Sequence, residues 1–344
     1  MEKELKYRLT KQVKIFGWSC KIESNKLNEL LKRVGLLKNG EIEDSAIITI
    51  PNSNLVHIKS LDIFTPIVDE PKIMGEITAC NVTNDVFALN VPEISGMLAF
   101  LAIKTDTPIE IAEGILEGIK YFMEKKINSK VVGGHTIYSE WPLMGGEASG
   151  FLHKDKVIRK FGVKKGDKLI LTKPIGLQPI SAAYRLLKDS PEMLEEYSLN
   201  ELKNSIDLAI KIMTTSTQDV IKTIHSYKDF SFVHAMTDVS GFGLAGHLQE
   251  MLQNSKLSAI IEIIPSIKFS KELSEDLGYA FEGCLCAETS GGLLIAVDQN
   301  YVEDFSNALK SNDINNWTVG KIDKIQPNLV KVSEKVEYLE ITKI

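Results

Sequence analysis

The sequence has few cysteines and no long hydrophobic run. Its four cysteines, Cys20, Cys80, Cys284 and Cys286, are too few and too scattered for a disulfide framework. No apolar run approaches the roughly 20 residues that span a bilayer. Residues 1–14 are charged throughout, which is not typical of a secretion signal. These absences predict a cytoplasmic protein that does not enter a membrane.

The chain also lacks an excess of basic residues. It has 40 Lys and Arg against 46 Asp and Glu, a formal net charge of -6. This balance argues against nucleic acid as an obligatory partner. The 344 residues exceed the usual size of one hydrophobic core, so two domains are expected. We place a flexible arm and helix in residues 1–40, an N-terminal domain in 41–160 and a C-terminal α/β domain in 161–344.

Neither of the common nucleotide-binding motifs is present. The sequence contains no G-x-x-x-x-G-K-[ST] pattern and no G-x-G-x-x-G after a predicted strand, which argues against a P-loop or Rossmann site. Asp62, Asp85 and Asp238 each stand at the end of a predicted element, beside small or polar residues. Carboxylates gathered from distant segments repel one another unless a cation lies among them. The three aspartates therefore predict a site that holds a nucleotide through Mg²⁺. The alternative is that they are surface residues that cap helices.

Strands and helices are interleaved twice along the chain, which predicts two α/β or α+β layers. We expect a hairpin of strands 46–50 and 55–59 with Asp62 after it, a helix over 71–89 and a strand over 96–103 buried on both faces. A second helix is expected over 108–126. We expect residues 133–136, Gly-Gly-His-Thr, to form another glycine-rich strand end.

The stretch 236–247 is the clearest strand-to-helix corner. An apolar strand ends at Met236, Thr237 and Asp238 follow, and glycines lead into residues with helical spacing. A carboxylate at a strand's end that faces a helix start suits a metal or a metal-bound polyphosphate. The alternative is a structural corner with a capping aspartate.

Cys20 and Lys21 are adjacent in the N-terminal arm. A lysine beside a thiol lowers the pKa of the thiol and makes it more nucleophilic. The same ammonium can neutralise a phosphoryl group during transfer. The alternative is an exposed lysine and a half-buried cysteine in a flexible arm.

Six segments, in order, resemble motifs of the selenophosphate synthetase (selenide, water dikinase) family. They are residues 61–69, 81–89, 133–136, 172–176, 236–248 and 289–293. Residues 236–248 match the family's M-T-D-V-T-G-F-G-L-x-G-H-L almost letter for letter. The resemblance runs from about residue 8 to the end of the chain.

The resemblance implies a two-domain fold shared with aminoimidazole ribonucleotide synthetase, thiamine monophosphate kinase and a hydrogenase maturation factor. It implies a homodimer whose N-terminal domains build a joint barrel, with ATP between the domains. The implied reaction converts ATP, selenide and water to selenophosphate, AMP and phosphate.

The resemblance also implies roles for individual residues. Lys21 would contact phosphate, and Asp85 and Asp238 would hold Mg²⁺. The implied ATP contacts are Asp44, Asp62, Asp85, Gly133, Gly134 and His135.

Two departures from the family pattern fall on functional positions. Trp18 occupies the position of the family's reactive Cys or selenocysteine, and indole is not a nucleophile. Ser45 replaces a metal-binding carboxylate, for which Asp44 or water could substitute.

Several interpretations therefore stay open. Cys20 could handle selenium in an active synthetase, or the protein could be a diverged paralogue that binds or hydrolyses ATP without making selenophosphate. Trp18 could be a misread selenocysteine UGA codon. Another small nucleophile could take the place of selenide. The protein could also be a relative that acts on thiamine phosphate or a purine precursor. The protein could also be a non-catalytic partner with the same fold.

Overall fold

The computed structural model describes residues 7–22, 24–36, 43–253, 255–324, 326–327 and 329–344. The α-helices of this part are α1 (Ser24–Arg33), α2 (Pro71–Ala88), α3 (Ile109–Tyr121), α4 (Leu177–Asp189), α5 (Leu199–Met213), α6 (Gln218–Ser226), α7 (Gly243–Met251), α8 (Ser270–Leu277) and α9 (Val302–Ser311). Among these helices, none is long and apolar enough to cross a bilayer.

The strands are β1 (Ala46–Thr49), β2 (Leu55–Phe64), β3 (Ile94–Ile103), β4 (Val131–Tyr138), β5 (Leu143–His153), β6 (Lys168–Leu171), β7 (Val233–Asp238), β8 (Ser258–Ile267), β9 (Leu293–Val297), β10 (Trp317–Asp323) and β11 (Val330–Ile341). They form two sheets, one from β1 to β5 and one from β6 to β11.

The first sheet has the strand order β1-β2-β5-β3-β4. Its strands pair antiparallel except β3 and β4, which are parallel and are connected through α3. Val56, Ile58 and Phe64 alternate along β2 and are buried on one face of the sheet. On the opposite face, Leu61 and Leu98 are 65% and 45% exposed. The described part of the chain therefore covers only one face of the first sheet.

Helices α2 and α3 pack unusually closely because each has a glycine at the crossing. A Cβ atom on Gly75 would lie 2.0 Å from the Ile115 carbonyl oxygen, and one on Gly118 would lie 1.9 Å from the Lys72 carbonyl oxygen. Only glycine allows the two backbones to approach this closely. The contact fixes α2, whose C-terminal half carries Asn81, Asn84 and Asp85.

The second sheet has the order β11-β8-β10-β6-β9-β7. All five residues of β9 are buried, and they pack into two hydrophobic clusters on opposite faces of the sheet. Strand β7 lies at one edge and is followed by α7 through residues 239–242. Asp238, the last residue of β7, stands at this corner.

The structure confirms the hairpin, the helix over 71–88 and the helix from 109, which ends in a π-helical turn at Phe122–Lys126. It corrects three other predictions. Asp62 lies inside β2, because pairing with β5 continues to Phe64. Residues 133–136 lie within β4 and not at its end. Strand β3 is not buried on both faces, since Leu98 is on the open face.

Candidate active site

A cavity of about 190 Å³ lies where β2, α2, β7 and α7 meet the N-terminal arm. Charged and imidazole side chains dominate its lining: Lys21, Glu43, Asp44, Asp62, Asp85, Lys160, Asp238, His247 and Glu250. Asp62, Asp85 and Asp238, which are far apart in sequence, therefore share one cavity. The acidic groups outnumber the two lysines.

The alternation of β2 brings Asp62 into the cavity. Asp62 is an even-numbered residue of this strand, like the buried Ile58 and Phe64, so its side chain points to the α2 side. There Asn81 Nδ2 donates a hydrogen bond of 2.9 Å to Asp62 Oδ2. Asn81 thus fixes the direction of the Asp62 carboxylate.

Asp85 lies one helical turn after Asn81 on α2 and faces the same strand. Ser60, two residues before Asp62, donates a hydrogen bond of 2.7 Å from its hydroxyl to Asp85 Oδ2. Helical and strand periodicities thus place two carboxylates side by side.

Asp238 enters the cavity from the second sheet. Its side chain is 3% exposed, and Asn84 Nδ2 donates to Asp238 Oδ2 over 3.3 Å. Asn84 also donates to the Gly291 carbonyl and accepts from the Thr217 hydroxyl. Helix α2 therefore holds the two sheets together beside the carboxylates.

Burial and mutual repulsion raise the pKa values of these carboxyl groups. Burial is the main cause for Asp62, whose pKa rises to about 7 despite the opposing charge of Lys21. Burial also raises the pKa values of Asp85 and Asp238 well above their usual range. The neighbouring carboxylates, including Asp44, add to the increase. Such groups gain from a cation placed among them.

Lys160 partly supplies that positive charge. It is only 3% exposed and pairs with both Asp44 and Glu250, with 2.9 Å between its Nζ atom and Glu250 Oε2. These two acids raise the pKa of Lys160 against the effect of burial. Lys160 lies at the expected domain boundary, and no sequence pattern predicts its position in this cavity.

Three buried polar atoms in or beside the cavity lack hydrogen-bond partners among the described residues; two belong to residues that line the cavity, and the third belongs to the residue that follows Asp44. They are Asp44 Oδ2, Ser45 Oγ and His247 Nδ1. Since buried polar groups are nearly always paired, these atoms mark a place for a ligand or ion. Burial lowers the pKa of His247 well below its usual range, so its imidazole is neutral. His247 belongs to the motif over residues 236–248, but the motif alone predicts no role for it.

Trp18 anchors the arm over the cavity. Its side chain is 7% exposed, stacks on Phe64 at 5.7 Å and donates from Nε1 to Asn81 Oδ1 over 2.9 Å. Lys21 Nζ lies 5.0 Å from the Trp18 ring centroid and 4.5 Å from that of Phe242. Trp18 therefore contacts both Lys21 and the amide that orients Asp62.

Cys20 differs from its neighbour Lys21. Among the described residues, Lys21 lines the cavity and Cys20 does not. Burial raises the pKa of the Cys20 thiol, and the opposing effect of Lys21 is smaller. Lys21 does act to lower the pKa of this thiol, as predicted, but the pKa is raised overall because the arm is docked and the sulfur is half-buried.

Gly133, Gly134 and His135 lie away from the cavity within one chain. They are exposed residues of β4, and β5 and β3 separate β4 from β2. Gly133 pairs with Leu98 and His135 with Phe100, so both lie on the open face of the first sheet.

Comparisons with known proteins agree with this architecture. The family model described as AIR synthase related protein, N-terminal domain, matches residues 42–152, and the corresponding C-terminal domain matches residues 164–328. The Aquifex aeolicus thiamine monophosphate kinase structure superposes with a TM-score of 0.67 at 17% identity, covering 92% of this chain and 100% of that one. A HypE structure in complex with ATP gives a TM-score of 0.64 at 14% identity, covering 92% and 94%. These structures establish the two-domain α/β fold.

Relatives found by sequence comparison have higher sequence identity to this chain than these solved structures do. A selenide, water dikinase of Methanococcus maripaludis is 35% identical over 339 residues, covering 96% of this chain and all of the relative. That of Methanocaldococcus jannaschii is 35% identical over 347 residues, covering 98% of each. Human selenide, water dikinase 2 is 29% identical and covers 87% of this chain and 68% of the relative. The chain therefore belongs to the selenide, water dikinase family.

Proposed function

We propose that the protein is an ATP-dependent selenophosphate synthetase. It converts ATP, selenide and water to selenophosphate, AMP and phosphate, so that one phosphoryl group goes to selenium and water releases the other as phosphate. The names of the full-length relatives support this reaction. The observation that carries it is the convergence of Asp62, Asp85 and Asp238 in one cavity beside Lys21.

The cavity fits Mg²⁺ as a cofactor. Mg²⁺ prefers oxygen ligands and is commonly held by one or two carboxylates plus substrate phosphates. Asp85 and Asp238 would hold it, with Ser45 at a third position where the buried hydroxyl has no partner among the described residues. Bound there, Mg²⁺ would neutralise charge on the phosphate oxygens. Asp44 and Asp62 complete the acidic wall that would face the nucleotide.

Lys21 is the residue we propose to stabilise the transferring phosphoryl group. Its ammonium lines the cavity, and the two aromatic rings beside it fix its position. A fixed positive charge near the reacting phosphate favours the transition state. Trp18 supplies no nucleophile. Cys20 is the only cysteine in residues 1–40, so any selenide carried on a thiol of the arm would be carried there.

We propose that the protein is a homodimer joined through the open face of the first sheet. Leu61, Leu98 and Phe151 on this face are 65%, 45% and 48% exposed. Exposed apolar side chains grouped on one sheet face, here beside the Lys59–Glu147 ion pair, are typical of an association surface. Since Gly133 and His135 lie on the same face, they would reach ATP only across this interface.

The reaction is tested by ³¹P NMR of purified protein with ATP, Mg²⁺ and selenide under reducing, anaerobic conditions. We expect selenophosphate and AMP to form in equal amounts. AMP or ADP formation that does not depend on selenide would instead identify a diverged ATPase. Intact ATP would identify a non-catalytic partner protein. Asp219→Asn, a change at an exposed carboxylate, serves as the matched control for Asp238→Asn, which should be inactive.

A further inference from the structure

Three side chains from three elements form a compact cluster at one end of the cavity. Asp44 precedes β1, Asp238 ends β7 and His247 lies on α7. Each offers one ligand atom, and these atoms lie within 4.8 Å of one another. Asp238 is 3% exposed and His247 is 2% exposed, so the cluster is built into the protein.

The hydrogen bonding around this cluster is incomplete. His247 Nε2 lies 3.3 Å from the Ser240 hydroxyl, whereas His247 Nδ1 has no hydrogen-bond partner among the described atoms, its nearest acid being Glu250 Oε2 at 3.6 Å. Lys160 occupies Asp44 Oδ1 and leaves Asp44 Oδ2 buried and unpartnered. A buried imidazole nitrogen and a buried carboxylate oxygen, both without a hydrogen bond, point to a bound cation.

The donor set indicates the kind of cation. Mg²⁺ and Ca²⁺ take oxygen ligands, whereas imidazole is a preferred ligand of transition metals. Two carboxylates and one imidazole suit a divalent transition metal such as Mn²⁺ or Zn²⁺. Ser45, the residue after Asp44, offers only a neutral hydroxyl, which is a weaker ligand. The imidazole of His247 is therefore the third strong donor, after the two carboxylates.

We propose that Asp44, Asp238 and His247 bind a divalent transition metal ion. This site differs from the proposed Mg²⁺ position because it uses His247 and Asp44 instead of Asp85. Asp238 is common to both. Binding at this site requires neither ATP nor selenide, so it can be tested independently of the proposed reaction.

The direct test uses Mn²⁺ as the probe on the nucleotide-free, full-length protein. Pulsed electron paramagnetic resonance detects the magnetic coupling between Mn²⁺ and a directly bound nitrogen. We expect ¹⁴N coupling in the wild type and its replacement by ¹⁵N coupling when histidine is ¹⁵N-labelled. We also expect Zn²⁺ to displace Mn²⁺ at concentrations at least tenfold lower than Mg²⁺ requires.

Variants identify the ligand. His247→Gln should lose the nitrogen coupling, whereas the matched control His153→Gln, at a half-exposed histidine, should retain it. If His247→Gln fails to fold, Asp44→Asn replaces it and should weaken Mn²⁺ binding at least tenfold.

Three results would overturn the proposed site. They are Mn²⁺ bound without histidine coupling, coupling retained in His247→Gln, and no Mn²⁺ binding. Failure of selenophosphate formation would leave the metal site standing, because binding is measured without substrates.

Discussion

At the scale of single residues, the cavity gathers groups that are costly to bury. Asp44, Asp62, Asp85 and Asp238 each disfavour ionisation of a neighbouring carboxylate, and only Lys21 and Lys160 among the lining residues oppose them. This arrangement lowers stability without ligand and favours binding of cations. Function and stability therefore compete at the same side chains.

The pH dependence of stability should show this competition. Asp62 has a pKa of about 7 in the folded protein against an ordinary value near 4, so the folded state holds this proton more tightly. The contribution of Asp62 to the free energy of unfolding should therefore be largest below pH 4. This contribution should be lost as the pH rises through 7. From pH 5 to 8 we expect Asp62 to cost about 2 kcal/mol of unfolding free energy.

Urea unfolding of metal-free and nucleotide-free protein at the two pH values measures this contribution. Asp62→Asn should lose less stability than the wild type over this range. Asp106→Asn, at an exposed carboxylate, should behave like the wild type. A pH dependence identical in wild type and Asp62→Asn would contradict the assigned pKa.

Lys21 should be essential for efficient turnover. Lys21→Met keeps the length of the side chain and its contact with the aromatic rings but removes the charge. We expect kcat/KM to fall at least hundredfold, the usual effect of losing one group that stabilises transition-state charge. Lys32→Met on the exposed face of α1 is the control, and steady-state AMP formation is the measurement. Activity within threefold of the wild type would remove Lys21 from the mechanism.

At the scale of elements, the N-terminal arm is part of the site. The sequence identified Cys20 and Lys21 as candidate functional residues, but it did not predict that the arm docks. Docking depends on Asn81 and Phe64, which are distant in sequence. The helix α2 was predicted from its residues and its start at Pro71. The full length of β2 was not predicted, because the polar residues Ser60 and Asp62 interrupt its apolar pattern and their pairing partners lie on the distant strand β5.

Trp18→Ala should release the arm. The change removes a buried ring and its hydrogen bond to Asn81, a loss of roughly 3–5 kcal/mol for a large aromatic residue. Since the arm is a peripheral segment, we expect it to detach while the two sheets remain folded. Limited trypsin digestion with mass spectrometry should then show cleavage after Lys21 at least tenfold faster than in wild type.

Leu30→Ala on α1, where the side chain is 51% exposed, is the control for Trp18→Ala. It should be cleaved after Lys21 at the wild-type rate. Equal cleavage of Trp18→Ala and the wild type would mean that Trp18 does not hold the arm.

At the scale of the whole molecule, the described residues of one chain leave one face of the first sheet, with its exposed apolar side chains, uncovered. The sequence predicted the hairpin and the strand over 96–103, but it could not show that α2 and α3 cover only one side of the first sheet. That outcome depends on Gly75 and Gly118, which let both helices pack together against the same face. The open face, with Leu98 and Phe151, is then available to a second copy.

Leu98→Glu should prevent this association. A carboxylate on the proposed interface would be buried without a partner, which strongly disfavours a dimer. Sedimentation velocity should give a monomer for Leu98→Glu and a dimer for the wild type. Leu199→Glu, at an exposed leucine of α5, should remain dimeric. A monomeric wild type would contradict the proposed interface.

The central claim is that aspartates from separate elements bind a nucleotide through a divalent cation. Calorimetric titration with Mg²⁺ and AMPPCP, a non-hydrolysable ATP analogue, tests it most directly when wild type and Asp85→Asn are compared. We expect Asp85→Asn to bind at least tenfold more weakly, because it loses a carboxylate that the proposed Mg²⁺ site requires. Affinities within twofold of each other would contradict the claim.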